Sequence, residues 1–257
     1  EQNRAAFRWG RHAALDPELL ERFAEPVPTL QPVAENLDEV ISCRERFLES
    51  YQSAKYASRY RALVERVKEV EGRMRPGSTV LADTVARSYF KLLAYKDEYE
   101  VARLHAKTTF LNDAMSKFAG KAKLKFYLSP PLIARLDPET GRPRKYEFGG
   151  WILPVFRVLA SLSFLRGTPL DPFGYSAERR ADRRLIVDFE SLLARILEEV
   201  DPSRLELAIE LARLPQSIRG YGPVKQIAMQ TVETLEAELL EAWSRPEQVD
   251  PPRMTAA

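Results

Sequence analysis

Between Leu37 and Glu71 the chain carries neither proline nor glycine, and its apolar residues recur at helical spacing. Val40, Ile41, Phe47, Leu48 and Tyr51 form a first set, and Tyr60, Leu63, Val67, Val70 and Met74 a second. The second set steps by three and four residues, the seam of a helix packed lengthwise on another. The pattern accommodates either one very long helix or a hairpin turning near Ser53 to Lys55.

Other segments extend the helical character. After the Arg75-Pro76-Gly77 break, residues 80–94 read as a helix with Leu81, Val85, Tyr89 and Leu92 or Leu93 on one face. Asp97 followed three residues later by Glu100 resembles a capping box, opening a helix expected to run to about Phe118. Residues 123–128 then alternate, with Leu124, Phe126 and Leu128 on one side and Lys123, Lys125 and Tyr127 on the other, which describes a half-buried strand. Its expected partner is residues 145–148, across a long connection whose Asp137-Pro138-Glu139-Thr140-Gly141 is a turn signal. Residues 151–165 are the most apolar stretch, too short for a bilayer and interrupted by Arg157, and read as a buried helix. Ser176 is expected to cap a helix carrying Ile186, Phe189, Leu193, Ile196 and Val200. Asp201-Pro202 opens one with Leu205, Ala208, Ile209 and Ala212 inward, and Pro223 opens one with Ile227, Val232, Leu235 and Leu239.

The fold class is therefore mainly α, a multi-helix domain with a small antiparallel β-hairpin insertion at about residues 122–149. Residues 1–24 read as the end of a preceding domain or connecting helices. Pro26, Pro28 and Pro32 make residues 25–36 a proline-rich linker, residues 37–243 are the helical domain, and residues 244–257, with three prolines, form a tail. The sequence begins at Glu1 without an initiator methionine, which leads to the expectation of a segment cut from a longer product.

Composition narrows the chemistry. The 39 basic and 37 acidic side chains leave a net charge of +2, too little for the field on which non-specific nucleic-acid binding depends. No apolar stretch reaches the roughly 18 residues of a membrane span and no basic-then-apolar leader is present, so a cytoplasmic chain with no membrane partner is expected. Cys43 is the single cysteine, which excludes an internal disulfide and a four-thiolate iron-sulfur cluster. His12 and His105 lie far apart and outside any zinc-type repeat, so no metal site is assigned. No Gly-x-Ser-x-Gly elbow supports a hydrolase triad, and no catalytic residue is assigned.

Three segments invite a functional reading. Arg179, Arg180, Arg183 and Arg184 place four guanidinium groups within six residues at a helix start, where they suit phosphate, carboxylate or an acidic partner surface, against the simpler reading of a solvated face offset by Glu178 and Asp182. Arg219, Tyr221 and Lys225 flank Gly220 and Gly222 just before a helix, an arrangement whose backbone amides suit an anion and which equally describes a helix-to-helix turn. The cluster Tyr95-Lys96-Asp97-Glu98-Tyr99-Glu100 holds paired carboxylates, explained equally well by capping and salt bridging. The run at Trp151 is read as core, with a partner-binding face as the alternative.

Several segments in order resemble a known family: residues 86–105 (ARSYFKLLAYKDEYEVARLH), 129–135 (SPPLIAR), Asp137-Pro138 with 140–145 (TGRPRK), 167–174 (GTPLDPFG) and 210–220 (ELARLPQSIRG). Together they resemble the carboxy-terminal region of the fused indolepyruvate ferredoxin oxidoreductases, within the 2-oxoacid ferredoxin oxidoreductase superfamily. Residues 3–10 (NRAAFRWG) resemble the join after the preceding domain in that family. The resemblance implies a complete enzyme that oxidatively decarboxylates an aryl 2-oxoacid to an acyl-coenzyme A and reduces ferredoxin. It implies thiamine diphosphate, magnesium and 4Fe-4S clusters in that enzyme, none of them on this segment, and a homo-oligomeric assembly. The diphosphate-binding Gly-Asp-Gly pattern is absent, so no catalytic residue carries over.

The resulting expectation is a non-catalytic domain, structural or gating, whose partners are the catalytic domains of the same enzyme. The alternatives are a surface of the same enzyme on which Arg179, Arg180, Arg219 and Lys225 hold coenzyme A phosphates or receive acidic ferredoxin, and a free-standing helical interaction module.

Overall fold

The computed structural model describes residues 36–116, 123–129 and 144–245, together with Phe7, Arg8, Gly10, Arg11 and Ala14. The chain divides into two units, residues 1–36 and residues 37–257. The expected linker, the turn at residues 137–141 and the tail beyond residue 245 lie outside the described residues.

The long glycine-free segment is a helical hairpin. Helix α1 (Leu37–Tyr51) ends where Ser53 accepts a hydrogen bond from the Tyr56 amide (3.2 Å) and caps α2 (Ala54–Met74). Ile41, Leu48 and Tyr51 of α1 are buried, as are Tyr60, Val64 and Val67 of α2. Helix α3 (Val80–Leu93) packs on α1 and α2 and hides nine of its residues, including Leu81, Val85, Tyr89 and Leu93. The Tyr60 and Tyr89 rings stack at 6.0 Å. The Tyr89 hydroxyl donates to Glu190, whose other oxygen receives Arg59 at 2.5 Å, tying α2 and α3 to the later helix that carries Glu190.

Helix α3 takes its amino-terminal cap from a distance. Thr79 at the N-cap makes no side-chain hydrogen bond there. The fully buried Glu71 instead reaches from the last turn of α2, where its carboxylate accepts from Ser78 Oγ (2.6 Å) and from the amides of Leu81 (3.1 Å) and Ala82 (2.9 Å). A carboxylate at this end also meets the positive pole of the helix dipole.

Helix α4 (Glu98–Ala106) starts on Asp97, whose carboxylate accepts from the Glu100 amide at 2.8 Å. Glu100 does not return the bond expected of a capping box; its carboxylate grips Arg103 at 2.7 and 2.8 Å. The helix also stops short of Phe118. Lys107 is its C-cap, Thr108 Oγ1 and Thr109 turn to local backbone and side-chain acceptors, and a separate helix α5 (Phe110–Ser116) follows. Strands β1 (Lys125–Leu128) and β2 (Tyr146–Gly149) form the expected antiparallel hairpin, with Phe126 opposite Phe148.

The apolar stretch after the hairpin is not a buried helix throughout. A 3-10 turn (Gly150–Ile152), helix α6 (Leu153–Ser161) and a second 3-10 turn (Ser163–Leu165) divide it. Ile152, Phe156 and Ala160, spaced by four, face inward and join Ala102 and Phe126 in a core cluster of their own. Trp151 (67% exposed), Val155, Val158 (61%) and Phe164 (60%) face outward. His105 belongs to the inner side, stacked on Phe156 and edge-on to Phe126, and burial pushes its imidazole below the ordinary histidine range.

Helix α7 (Ala177–Glu199) is capped by Ser176 and buries Ile186, Phe189, Leu193 and Ile196 as expected. Asp201 holds a turn through the amides of Ser203 and Arg204, so α8 (Leu205–Arg213) begins at Leu205 rather than at Pro202. A 3-10 turn (Leu214–Ser217) leads to the last helix, α9 (Pro223–Trp243), which starts at Pro223 and buries Val232, Leu239 and Trp243; Ile227, expected inside, is exposed. Among the described residues, no helix is long and apolar enough to cross a membrane.

Because Glu71 alone satisfies two buried amides of α3, Glu71→Ala is expected to cost about 2–4 kcal/mol of unfolding free energy. Urea denaturation of the purified chain measures it. A loss under about 0.5 kcal/mol would mean that the cap is not needed.

Candidate functional site

The three polar segments that stand apart in sequence meet in one place. Asp97, at the start of α4, receives the guanidinium of Arg166 through both oxygens at 2.5 and 2.9 Å. Arg166 is 4% exposed; it donates its remaining nitrogen to the Tyr51 carbonyl (2.7 Å) and lies 3.6 Å above the Tyr51 ring. Burial disfavours its charge, but the Asp97 hydrogen bonds outweigh that and hold its pKa above the ordinary arginine value.

The loop that follows Arg166 is organised by Asp171. This buried carboxylate accepts from the Gly167 amide (2.9 Å), the Phe173 amide (3.1 Å) and the Tyr99 hydroxyl (3.1 Å). Gly174 is required here, since a Cβ would come within 2.8 Å of an Asp171 oxygen and 3.2 Å of Arg183 Nη1. Arg183 donates through Nη2 to the Gly174 carbonyl at 2.6 Å, and its Nη1 is buried without a hydrogen-bond partner among the described residues.

Asp182 is the second junction. Arg179 binds one of its oxygens at 2.8 Å and Lys225 binds the other, so α7 is joined to the first turn of α9. Arg179 also reaches Glu98 of α4 at 3.5 Å. Tyr95 lies among these charges, and burial pushes its phenol up to about 12.

The seven residues singled out in the sequence thus divide. Arg179, Arg183 and Lys225 are turned inward and engaged by Asp182, Glu98 and the Gly174 carbonyl. Arg180, Arg184, Arg219 and Tyr221 are exposed, and no hydrogen bond or ion pair holds the guanidinium of Arg180, Arg184 or Arg219 among the described residues. Sequence reasoning passed over Arg166, Asp171 and Lys91. Lys91 of α3 donates to the Gln216 carbonyl at 2.7 Å, and its charge is disfavoured by burial and then by Arg219 and Lys225. The usable signal for Arg166 is a lone cation at the end of the most apolar stretch, directly before Gly167.

Chemically, Asp97, Asp171 and Asp182 are each matched to cations, amides or a hydroxyl, an arrangement suited to holding helices together, while Glu98 Oε2 is buried without a hydrogen-bond partner among the described residues. Among the described residues, no group of three or more His, Cys, Asp or Glu side chains is placed to hold a metal ion. Cys43 is exposed.

Residues 37–238 match a family of unknown function, DUF6537. The chain belongs to this family. No curated protein and no solved structure matches the chain significantly. The matched span of this DUF6537 member runs from the first residue of α1 into α9, and so includes both junctions at Asp97 and Asp182.

Removing the Asp182 carboxylate leaves Arg179 and Lys225 without their shared partner. Asp182→Ala is expected to destabilise the chain by about 2–3 kcal/mol in urea, while Arg180→Ala, at an exposed position, stays within about 0.5 kcal/mol. Equal effects for the two variants would contradict the division made here between engaged and exposed arginines.

Proposed function

We propose that this DUF6537 chain is a non-catalytic helical domain of an indolepyruvate-type 2-oxoacid ferredoxin oxidoreductase. In this reading it braces the catalytic domains of that enzyme, which carry the thiamine diphosphate, magnesium and iron-sulfur clusters. The reading rests on the ordered segments that resemble the family. It is supported by one observation above the others: Asp97, Asp171 and Lys91, charged residues of those segments, serve the fold itself. Asp97 holds Arg166, Asp171 shapes the 167–174 loop, and Lys91 binds the Gln216 carbonyl, so these three residues are accounted for without chemistry on a substrate.

A bracing role also suits the outer face of α6 and its flanking 3-10 turns, where Trp151, Val155, Val158 and Phe164 present apolar surface. Packing such a face against a neighbouring domain removes it from water, at roughly 25 cal/mol per Å² of apolar area.

An antibody raised against this chain, used on extracts of the source cells, tests the reading. The expected antigen is a polypeptide several times heavier than 29.4 kDa that co-purifies with iron and acid-labile sulfide. An antigen of 29.4 kDa that carries neither would contradict it and leave a free-standing helical module.

A further inference from the structure

Helix α6 and the 3-10 turns at its ends are apolar on opposite sides. Over residues 149–165 the single charged side chain is Arg157. Ile152, Phe156 and Ala160 close one side against Ala102 and Phe126. On the other side Trp151, Val155 and Val158 stand four and three residues apart and share one exposed stripe, about 10 Å long at the rise of a helix. The Trp151 ring is held in place by an edge contact with the Phe148 ring of β2 at 5.7 Å. A helix that is apolar on both sides is one that a folded assembly covers on both, and this chain covers one of them among the described residues.

The uncompensated charges around the stripe have one sign. Arg157 flanks it on α6 itself and is exposed. Lys107 reaches the carboxy-terminal end of α6, where its ammonium donates to the Ala160 carbonyl at 3.4 Å. Lys123, also exposed, comes two residues before Lys125, whose partner in the ladder is Gly149, so it stands at the end of the hairpin from which the chain turns to Trp151. No acidic side chain pairs with any of these three cations among the described residues. The carboxylates of the elements that surround α6 are engaged already: Glu100 by Arg103, Asp113 by Thr109 and Glu147 by Lys125.

We propose that this stripe docks an amphipathic helix whose apolar face is flanked by Asp or Glu. The apolar contact supplies the affinity, and the cations around it select an acidic partner and set its register. A second copy of the chain fits poorly, since a two-fold contact at the stripe brings Arg157 and its neighbours against cations of their own kind. An anionic lipid surface is also a weaker match, because a stripe of about 10 Å equals the diameter of one helix and gives a bilayer little apolar area to bury. The proposal rests on the bracing reading only for where that helix lies, in a neighbouring domain of the same polypeptide; the chemistry of the face stands without it.

Isothermal titration of the full chain with two synthetic helical peptides tests the face. Both carry the same leucine stripe at helical spacing, flanked in one by glutamates and in the other by lysines. Saturable one-to-one binding of the glutamate peptide is expected, about tenfold or more tighter than that of the lysine peptide at low ionic strength. Val158→Asp, at a position 61% exposed, removes the binding, and Arg157→Glu narrows the preference between the peptides. Ile227→Asp, 64% exposed on α9, binds as the unaltered chain does. All three positions are exposed, so the variants should fold, which circular dichroism checks. No saturable binding, equal affinity for the two peptides, or an equal loss in Val158→Asp and Ile227→Asp would overturn the proposal. Binding of phosphatidylglycerol vesicles, or dimerisation in sedimentation, that Val158→Asp removes while neither peptide binds would overturn it too, by assigning the face to lipid or to a second copy. The mass of the native antigen tests the bracing reading separately, so either can fail alone.

Discussion

The pairing of Arg166 with Asp97 joins separate parts of the chain through one buried guanidinium. Arg166 stands at the end of the second 3-10 turn, Asp97 at the start of α4, and the Tyr51 carbonyl at the end of α1, and the one guanidinium bonds to both. Gln52 closes the circuit by donating to the Arg166 carbonyl at 3.5 Å. A guanidinium this deep is strongly unfavourable when unpaired, since several kcal/mol of hydration are lost on burial. Each nitrogen of the fork has an acceptor here, Nε and Nη2 on Asp97 and Nη1 on the Tyr51 carbonyl. The aromatic surroundings serve the same end: Tyr51 and Tyr99 both present their faces to Arg166.

That constraint explains how two apolar clusters coexist in the second unit. One is built from α1, α2 and α3 with α7 and α8; the other gathers Ala102, Phe126, Ile152, Phe156 and Ala160. The polar junction lies where the segments carrying these clusters approach, and it extends through Asp171 and Asp182 to α7 and α9. Hydrophobic burial supplies the bulk of the stabilisation but is indifferent to register. The directional bonds at Asp97, Asp171 and Asp182 select which ends meet.

How much of this was legible depended on whether the cause was local. The caps at Asp97 and Ser176 and the start of α9 at Pro223 follow from residues a few positions apart, and β1 and β2 pair as their patterns lead one to expect, whereas the periodicity of residues 37–74 fits one long helix as well as the hairpin that Ser53 closes. The break after Ala106 escaped notice because apolar periodicity ran through it, while the Thr108-Thr109 pair diverted hydrogen bonds locally. The apolar composition of residues 151–165 does not distinguish inward from outward positions; the four-residue spacing does, and it turns Ile152, Phe156 and Ala160 inward and leaves Trp151, Val155 and Val158 exposed. Glu71 and Arg166 were illegible for a different reason. Each acts on groups that only the folded chain brings near, Glu71 on the start of the next helix and Arg166 on residues more than sixty positions away. The candidate site followed the same rule: the arginine-rich start of α7 was visible, but that Asp182 would claim Arg179 and Lys225 depended on tertiary placement.

The most direct test of this account is a double-mutant cycle at the central junction, with Asp97→Asn, Arg166→Met and the double variant compared by urea denaturation. If the pair organises the fold, each single change leaves a buried group unsatisfied and the two effects do not add, with a coupling of about 2–3 kcal/mol and a double variant no less stable than the worse single one. Additive losses, with coupling under about 0.5 kcal/mol, would contradict the account and assign the arrangement of these segments to apolar packing alone.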